Sequence, residues 1–199
     1  MSTDPVDDLA QALDATDRLI AGIGDQQWQN PTPCTEWNLR DLVDHLVAAN
    51  RRFSSMLHGE QPAAAATQDA AGDDGDLVAA YRDSGKRMLA AFRQPGALEQ
   101  TVTLPIGAAP AIAALHLRVT DLLVHGWDIA QATGQPARLP EQLAAQELEF
   151  TRAKLADMPA DRRPFAPPQP VADDAPASDR LAAYLGRPVP RTGATHAGP

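Results

Sequence analysis

The sequence predicts an all-α protein, and three observations carry that prediction. Alanine and leucine recur along the whole chain, β-branched residues are sparse and aromatic residues make up only 5%, a composition that favours helices over sheets. Apolar residues repeat at three- and four-residue spacing in several long stretches. Eighteen prolines punctuate those stretches and mark where helices stop. With 44% hydrophobic residues in 199, the chain can bury a core without covalent staples.

The first helix is predicted from about Asp4 to Ile23, where Leu9, Leu13, Ile20 and Ile23 recur at helical spacing and acidic residues gather near the start. Residues 24–37 carry glycine, Asn30-Pro31 and Thr32-Pro33 and read as a crossing loop, with Trp28 and Trp37 pinning it to the core. Asn38 is a good N-cap with Asp41 three residues on, and Leu39, Leu42, Val43, Leu46, Phe53 and Leu57 continue a stripe to about His58. His45 lies at the edge of that stripe. Residues 59–75 are rich in Ala, Asp and Gly without periodicity and read as a mobile linker of no legible function.

Leu77, Tyr81, Met88 and Phe92 outline a third helix, closed by Pro95-Gly96, and Thr101 to Leu104 reads as a short extended segment. Pro110 opens a long helix that ends at Gly134 with Pro136 just beyond. Pro140 to about Met158 forms another, with Leu143, Leu148 and Leu155 inward and Glu141, Glu147 and Glu149 expected in solvent. Five prolines between Arg163 and Pro176 then predict an extended path, and Ser178 to Leu185 a short helix docking Leu181, Tyr184 and Leu185. From Arg187 onward, past His196, a disordered tail is expected. The predicted organisation is a helical bundle over 1–158 and a proline-rich extension over 159–199 packing on it.

Charge narrows the function. Seventeen basic against 26 acidic residues give a net charge of −9, which repels phosphate backbones and anionic lipid, so neither nucleic acid nor membrane is an expected partner. Cys34 is the single cysteine, which excludes an intrachain disulfide, and no run approaches the ~18 apolar residues of a membrane span. With no signal-peptide pattern at the N-terminus, a cytoplasmic protein is expected.

The chemistry concentrates on the long helix. At about 100° per residue, Arg118, Asp121, His125 and Asp128 fall in one sector, while Leu115, Val119, Leu122, Leu123, Trp127 and Ile129 cover the rest. A narrow polar stripe on a helix fit for burial needs partners for each polar group. Asp121 and His125, four residues apart, could chelate a transition metal together, although the same spacing also makes an ordinary intrahelical contact. His45, on another helix, supplies a third ligand and leaves positions open for substrate. His58 ends its helix, and His116 lies roughly opposite His125 on the wheel. Arg118 and Asp128 could orient a ligand or receive an anionic substrate, or form an ordinary internal pair. Cys34 admits two readings, a thiol near a helix start or a small buried hydrophobe, and the second is favoured. No glycine-rich phosphate loop, Cys-x-x-Cys or nucleophile elbow is present.

Two stretches, Thr32-Pro-Cys-Thr-Glu-Trp-Asn-Leu-Arg-Asp-Leu-Val-Asp-His45-Leu and Asp121-Leu-Leu-Val-His125-Gly-Trp-Asp-Ile-Ala, resemble the two signatures of the DinB/YfiT-like metal-binding superfamily. They are most similar to the single-domain actinobacterial branch related to the N-terminal domain of mycothiol-dependent maleylpyruvate isomerase. Asp179-Arg-Leu-Ala-Ala-Tyr-Leu-Gly-Arg187-Pro resembles that branch's closing segment. The resemblance implies a four-helix bundle with additional short C-terminal helices. It also implies a divalent metal, zinc or nickel, held by His45, Asp121 and His125, and a low-molecular-weight thiol such as mycothiol as co-substrate. Asp121 stands where the isomerase branch carries Glu and other branches His. The proline-rich end is too short to supply that isomerase's second domain, so maleylpyruvate isomerisation itself is not the expected reaction.

The leading expectation is therefore a metal-binding, thiol-dependent transferase or isomerase acting on an electrophilic substrate, with catalytic residues beyond the ligands unassigned. A metal-dependent hydrolase with Asp128 as base is a further option. The alternative from another class is a non-catalytic helical module that binds a ligand or forms a homodimer around a vestigial metal site.

Overall fold

The computed structural model describes residues 4–59, 74–104, 107–156, 158 and 165–190. Six helices and one small hairpin follow in order: α1 Pro5–Ala21, α2 Leu39–Leu57, α3 Asp74–Phe92, β1 Thr101–Leu104, β2 Gly107–Pro110, α4 Ala111–Thr133, α5 Glu141–Leu155 and α6 Ala177–Tyr184. Helices α1 to α4 form the bundle, α1 lying against α4 and α3, and α2 against α3 and α4. Helix α5 flanks α4, and α6 rests on both. Among the described residues the fold is all-α apart from that one small hairpin.

Local chemistry sets the helix ends. The Asp4 side chain accepts from the Val6 amide just ahead of Pro5, and Asn38 and Asp41 form a reciprocal capping box at the start of α2. Gly134 takes φ 74° at the end of α4, a left-handed conformation that glycine adopts without a Cβ penalty. Helix α4 carries most of the core. Leu115, Val119, Leu122, Trp127 and Ile129 are fully buried, as a helix enclosed on nearly all sides requires. Gly126 lets α1 approach closely, since a Cβ there would meet Leu139 Cδ2 at 3.1 Å and Thr16 Oγ1 at 3.3 Å.

The loop between α1 and α2 is fastened rather than free. Trp28 is buried, the Leu39 and Arg40 amides donate to the Asn30 and Trp28 carbonyls, and the side chains of Gln27 and Asn30 donate to the last carbonyls of α4. This fastening holds Trp37 and Cys34 against the facing sides of α2 and α4. Three expectations need correction or completion. Thr101–Leu104 is one arm of an antiparallel hairpin whose other arm, Gly107–Pro110, has no alternating pattern to announce it. Glu147, expected in solvent, is 1% exposed. Its carboxylate is held inside by His116 Nδ1 at 2.8 Å and by the Thr120 hydroxyl at 3.0 Å, which removes the cost of burying it unpaired. Helix α3 starts at Asp74, so only 60–73 of the expected 59–75 linker, like the tail at 191–199, lies outside the described residues.

Candidate metal centre

Helix α2 places His45, and α4, running antiparallel to it, places Asp121 and His125. Asp121 Oδ1 lies 3.3 Å from His125 Nε2 and 3.6 Å from His45 Nε2, and one ligand atom from each of the three residues falls within 4.8 Å of the others. The structure thus brings together the three residues singled out in the sequence.

The surroundings fix each group. His125 Nδ1 lies 3.0 Å from Asp128 Oδ2. A buried carboxylate can only accept there, so Nδ1 carries the proton and Nε2 is the atom turned toward Asp121. Asp128 is fully buried and also accepts from Arg187 Nη2 at 3.0 Å and Arg187 Nε at 3.3 Å. On the other side, Arg118 pairs with Asp121 Oδ2. Arg118 is itself fully buried, donating to Asn50 Oδ1 at 2.7 Å and to the Leu46 carbonyl at 3.0 Å. Trp37 roofs the cluster, its ring 4.4 Å from that of His45 and 5.7 Å from that of His125.

The electrostatics follow from this packing. Burial by itself would raise the Asp121 carboxyl, but the His125 charge, hydrogen bonds from His125 and His45, and the Arg118 guanidinium hold it well below the usual carboxylate range. Burial would likewise lower His125, yet Asp121 and Asp128 push it up to about 9. At 3.3 Å from the Asp121 carboxylate, His125 Nε2 can either carry a second proton and donate it to that oxygen or offer its lone pair to a metal ion held by both groups. The donor set, two imidazole nitrogens and one carboxylate oxygen with a second carboxylate behind His125, suits a divalent transition metal.

A family model describing the mycothiol maleylpyruvate isomerase N-terminal domain matches residues 9–130, from the first helix through the whole of the His45, Asp121 and His125 cluster. The chain belongs to that family. Two uncharacterized proteins of Mycobacterium tuberculosis, from strains CDC 1551 / Oshkosh and ATCC 25618 / H37Rv, are each 36% identical to it over 187 residues, covering 94% of this chain and 99% of their own. Crystal structures of the mycothiol-dependent maleylpyruvate isomerase and of a mutant of it are similar in fold, with a TM-score of 0.60, 16% identity, and 71% of this chain and 67% of theirs covered. No helix among the described residues is long and apolar enough to cross a membrane.

Outside the part matched by the mycothiol maleylpyruvate isomerase N-terminal domain model, the expectation for Arg187 needs correction. Instead of opening a disordered tail, Arg187 returns to the cluster and seals Asp128, because a fully buried carboxylate needs a cation. The apolar contacts of α6, with Leu181 and Leu185 buried, and a 2.7 Å hydrogen bond from Trp127 Nε1 to Asp179 hold the segment in place. Cys34, read as a small buried hydrophobe, is half-buried, and its sulfur lies within 4.8 Å of ligand atoms of His125 and Asp128. Burial pushes its thiol pKa up, against the opposing pull of Arg187. Asn50 escaped the sequence reading, although a signal was present: it occupies an inward position between Leu46 and Phe53 of the apolar stripe, where an amide needs buried partners. His116 lies apart from the cluster and serves Glu147.

Proposed function

We propose that this protein binds a divalent transition metal through His45, Asp121 and His125 and uses it, with a low-molecular-weight thiol of the mycothiol type, in a transferase or isomerase reaction on an electrophile. The observation that carries the reading is the Asp121 carboxylate set between two imidazole Nε2 atoms, at 3.6 and 3.3 Å, a point where one metal ion would meet all three donors. The printed name of the similar crystal structures, a mycothiol-dependent maleylpyruvate isomerase, supports the choice of thiol. A bound ion of this kind supplies a Lewis acid that lowers the pKa of a thiol at neutral pH.

The chain's own residues do the rest. Asp128 keeps the proton of His125 on Nδ1 and so keeps Nε2 available as a donor. Arg187 and Arg118 balance the two carboxylates, and Arg118 also fixes the rotamer of Asp121 from below. Trp37 packs its ring against both imidazoles. Zinc or nickel fits the donor set equally well. The experiment is elemental analysis of protein purified without chelator, followed by thiol-transfer assays with a panel of electrophiles. About one equivalent of zinc or nickel, lost in His45→Ala, is expected. Less than about a tenth of an equivalent, unchanged by that substitution, overturns the reading.

The Arg118–Asp121 ion pair favours a second reading, a non-catalytic ligand-binding or dimerisation module, because it already neutralises the carboxylate. Metal-loaded protein that is inert with every thiol and electrophile pair selects it.

A further inference from the structure

A cavity of about 1080 Å³ opens over Asp121 and His125 and is walled by α2, the hairpin, α4, α5 and the returning C-terminal segment. That volume lies at the upper end for small-molecule sites. Its walls are largely apolar, formed by side chains such as Phe53, Met56, Leu117, Val124, Phe150 and Phe165. The charged lining is unlike the chain as a whole. In a protein of net charge −9, the cavity is lined, among the described residues, by Arg52, Lys154 and Arg187 against one carboxylate, Asp121, which Arg118 already neutralises.

The cations divide by position. Arg187 is committed to Asp128 at the His125 end. Arg52 lies seven residues beyond His45 on α2, and Lys154 seven residues beyond Glu147, whose partner Thr120 adjoins Asp121. At about 1.5 Å per residue Arg52 is displaced roughly 10 Å along α2 from His45, and Lys154 roughly 10 Å along α5 from Glu147. Both are exposed, and Lys154 reaches over the Phe150 ring at 5.6 Å. The cavity thus offers a His/Asp floor, an apolar wall and, besides the committed Arg187, two lining cations, Arg52 and Lys154.

We propose that this cavity binds an elongated, mostly apolar monocarboxylate. Its hydrocarbon body lies along α2 and α4, its carboxylate meets Arg52 and Lys154, and its other end reaches Asp121 and His125. The assignment of that other end as the reacting one rests on the metal-site reading above; the binding does not. A short dicarboxylate would leave the apolar wall in water.

Titration calorimetry of hexanoate, decanoate and decanamide into the full chain, after EDTA treatment and again after metal loading, tests this. Decanoate is expected to bind at one site, with affinity rising about fourfold per methylene from hexanoate, and decanamide about tenfold more weakly than decanoate. Arg52→Gln with Lys154→Gln, at exposed positions where folding is not at risk, should remove the acid–amide difference and leave decanamide affinity unchanged. Ala113→Trp, filling the wall, should abolish binding of both. Equal affinity for acid and amide, absence of chain-length dependence, or no saturable binding each overturns the proposal. Decanoate binding to EDTA-treated protein that never takes up metal sustains the cavity assignment while the metal reading fails. Full metal occupancy without decanoate binding overturns the cavity assignment alone.

Discussion

His125 donates a hydrogen bond from Nδ1 to Asp128 at 3.0 Å and turns Nε2 toward the Asp121 carboxylate at 3.3 Å, so one imidazole is held between two carboxylates with different tasks. Asp128, fully buried and bridged to Arg187, sets the tautomer, whereas Asp121, more exposed, faces the proposed metal position. Asp128→Asn should keep the fold, since the amide oxygen can still accept, but lower zinc or nickel affinity by about 10–100-fold. Competition with a chromophoric chelator measures that loss, and unchanged affinity would remove Asp128 from the ligand-orienting role.

Arg118 gives a stability prediction of known sign. Its guanidinium is wholly buried and donates to Asn50 Oδ1 and the Leu46 carbonyl as well as to Asp121. Arg118→Met leaves a buried amide oxygen and a carboxylate without their cation, at a cost of about 3–5 kcal/mol, read from urea unfolding. Arg118→Lys should recover little, because one ammonium cannot span the three acceptors that the planar fork reaches.

The pH dependence of stability should change sign with metal. Without metal, the His125 pKa lies at about 9 in the folded protein against 6.5 for the free side chain. Its contribution is therefore fully present below about pH 6.5 and is lost as the pH rises toward 9. Metal requires the Nε2 lone pair, so the stabilisation added by zinc or nickel should grow as the pH rises over the same window. Melting temperatures between pH 6 and 9, with EDTA and with metal, test both halves. Parallel profiles in the two conditions would exclude His125 as a ligand.

Cys34 should behave as a hindered thiol. Burial raises its pKa more than Arg187 lowers it, so alkylation of the native protein near neutral pH should be slower than that of the urea-unfolded chain, where the thiol is free. Stopped-flow labelling under the two conditions checks this, and a faster native rate would mark an activated nucleophile instead.

Much of the architecture is encoded locally. Asn38 with Asp41, Gly134 before Pro136 and the repeats of Leu and Ala set the helix boundaries to within a few residues, because caps and periodicity act over single turns. The polar sector of Arg118, Asp121, His125 and Asp128 is likewise a property of one helix. Tertiary structure alone decided what each member of that sector meets. That His45 faces Asp121 depends on α2 and α4 lying side by side, that Glu147 is buried depends on His116 and Thr120 of a different helix, and that Arg187 seals Asp128 depends on α6 docking some fifty residues away in sequence. The physical reason is the same in each case: a buried charge is tolerated only beside its partner, and the sequence names the charge without naming the partner.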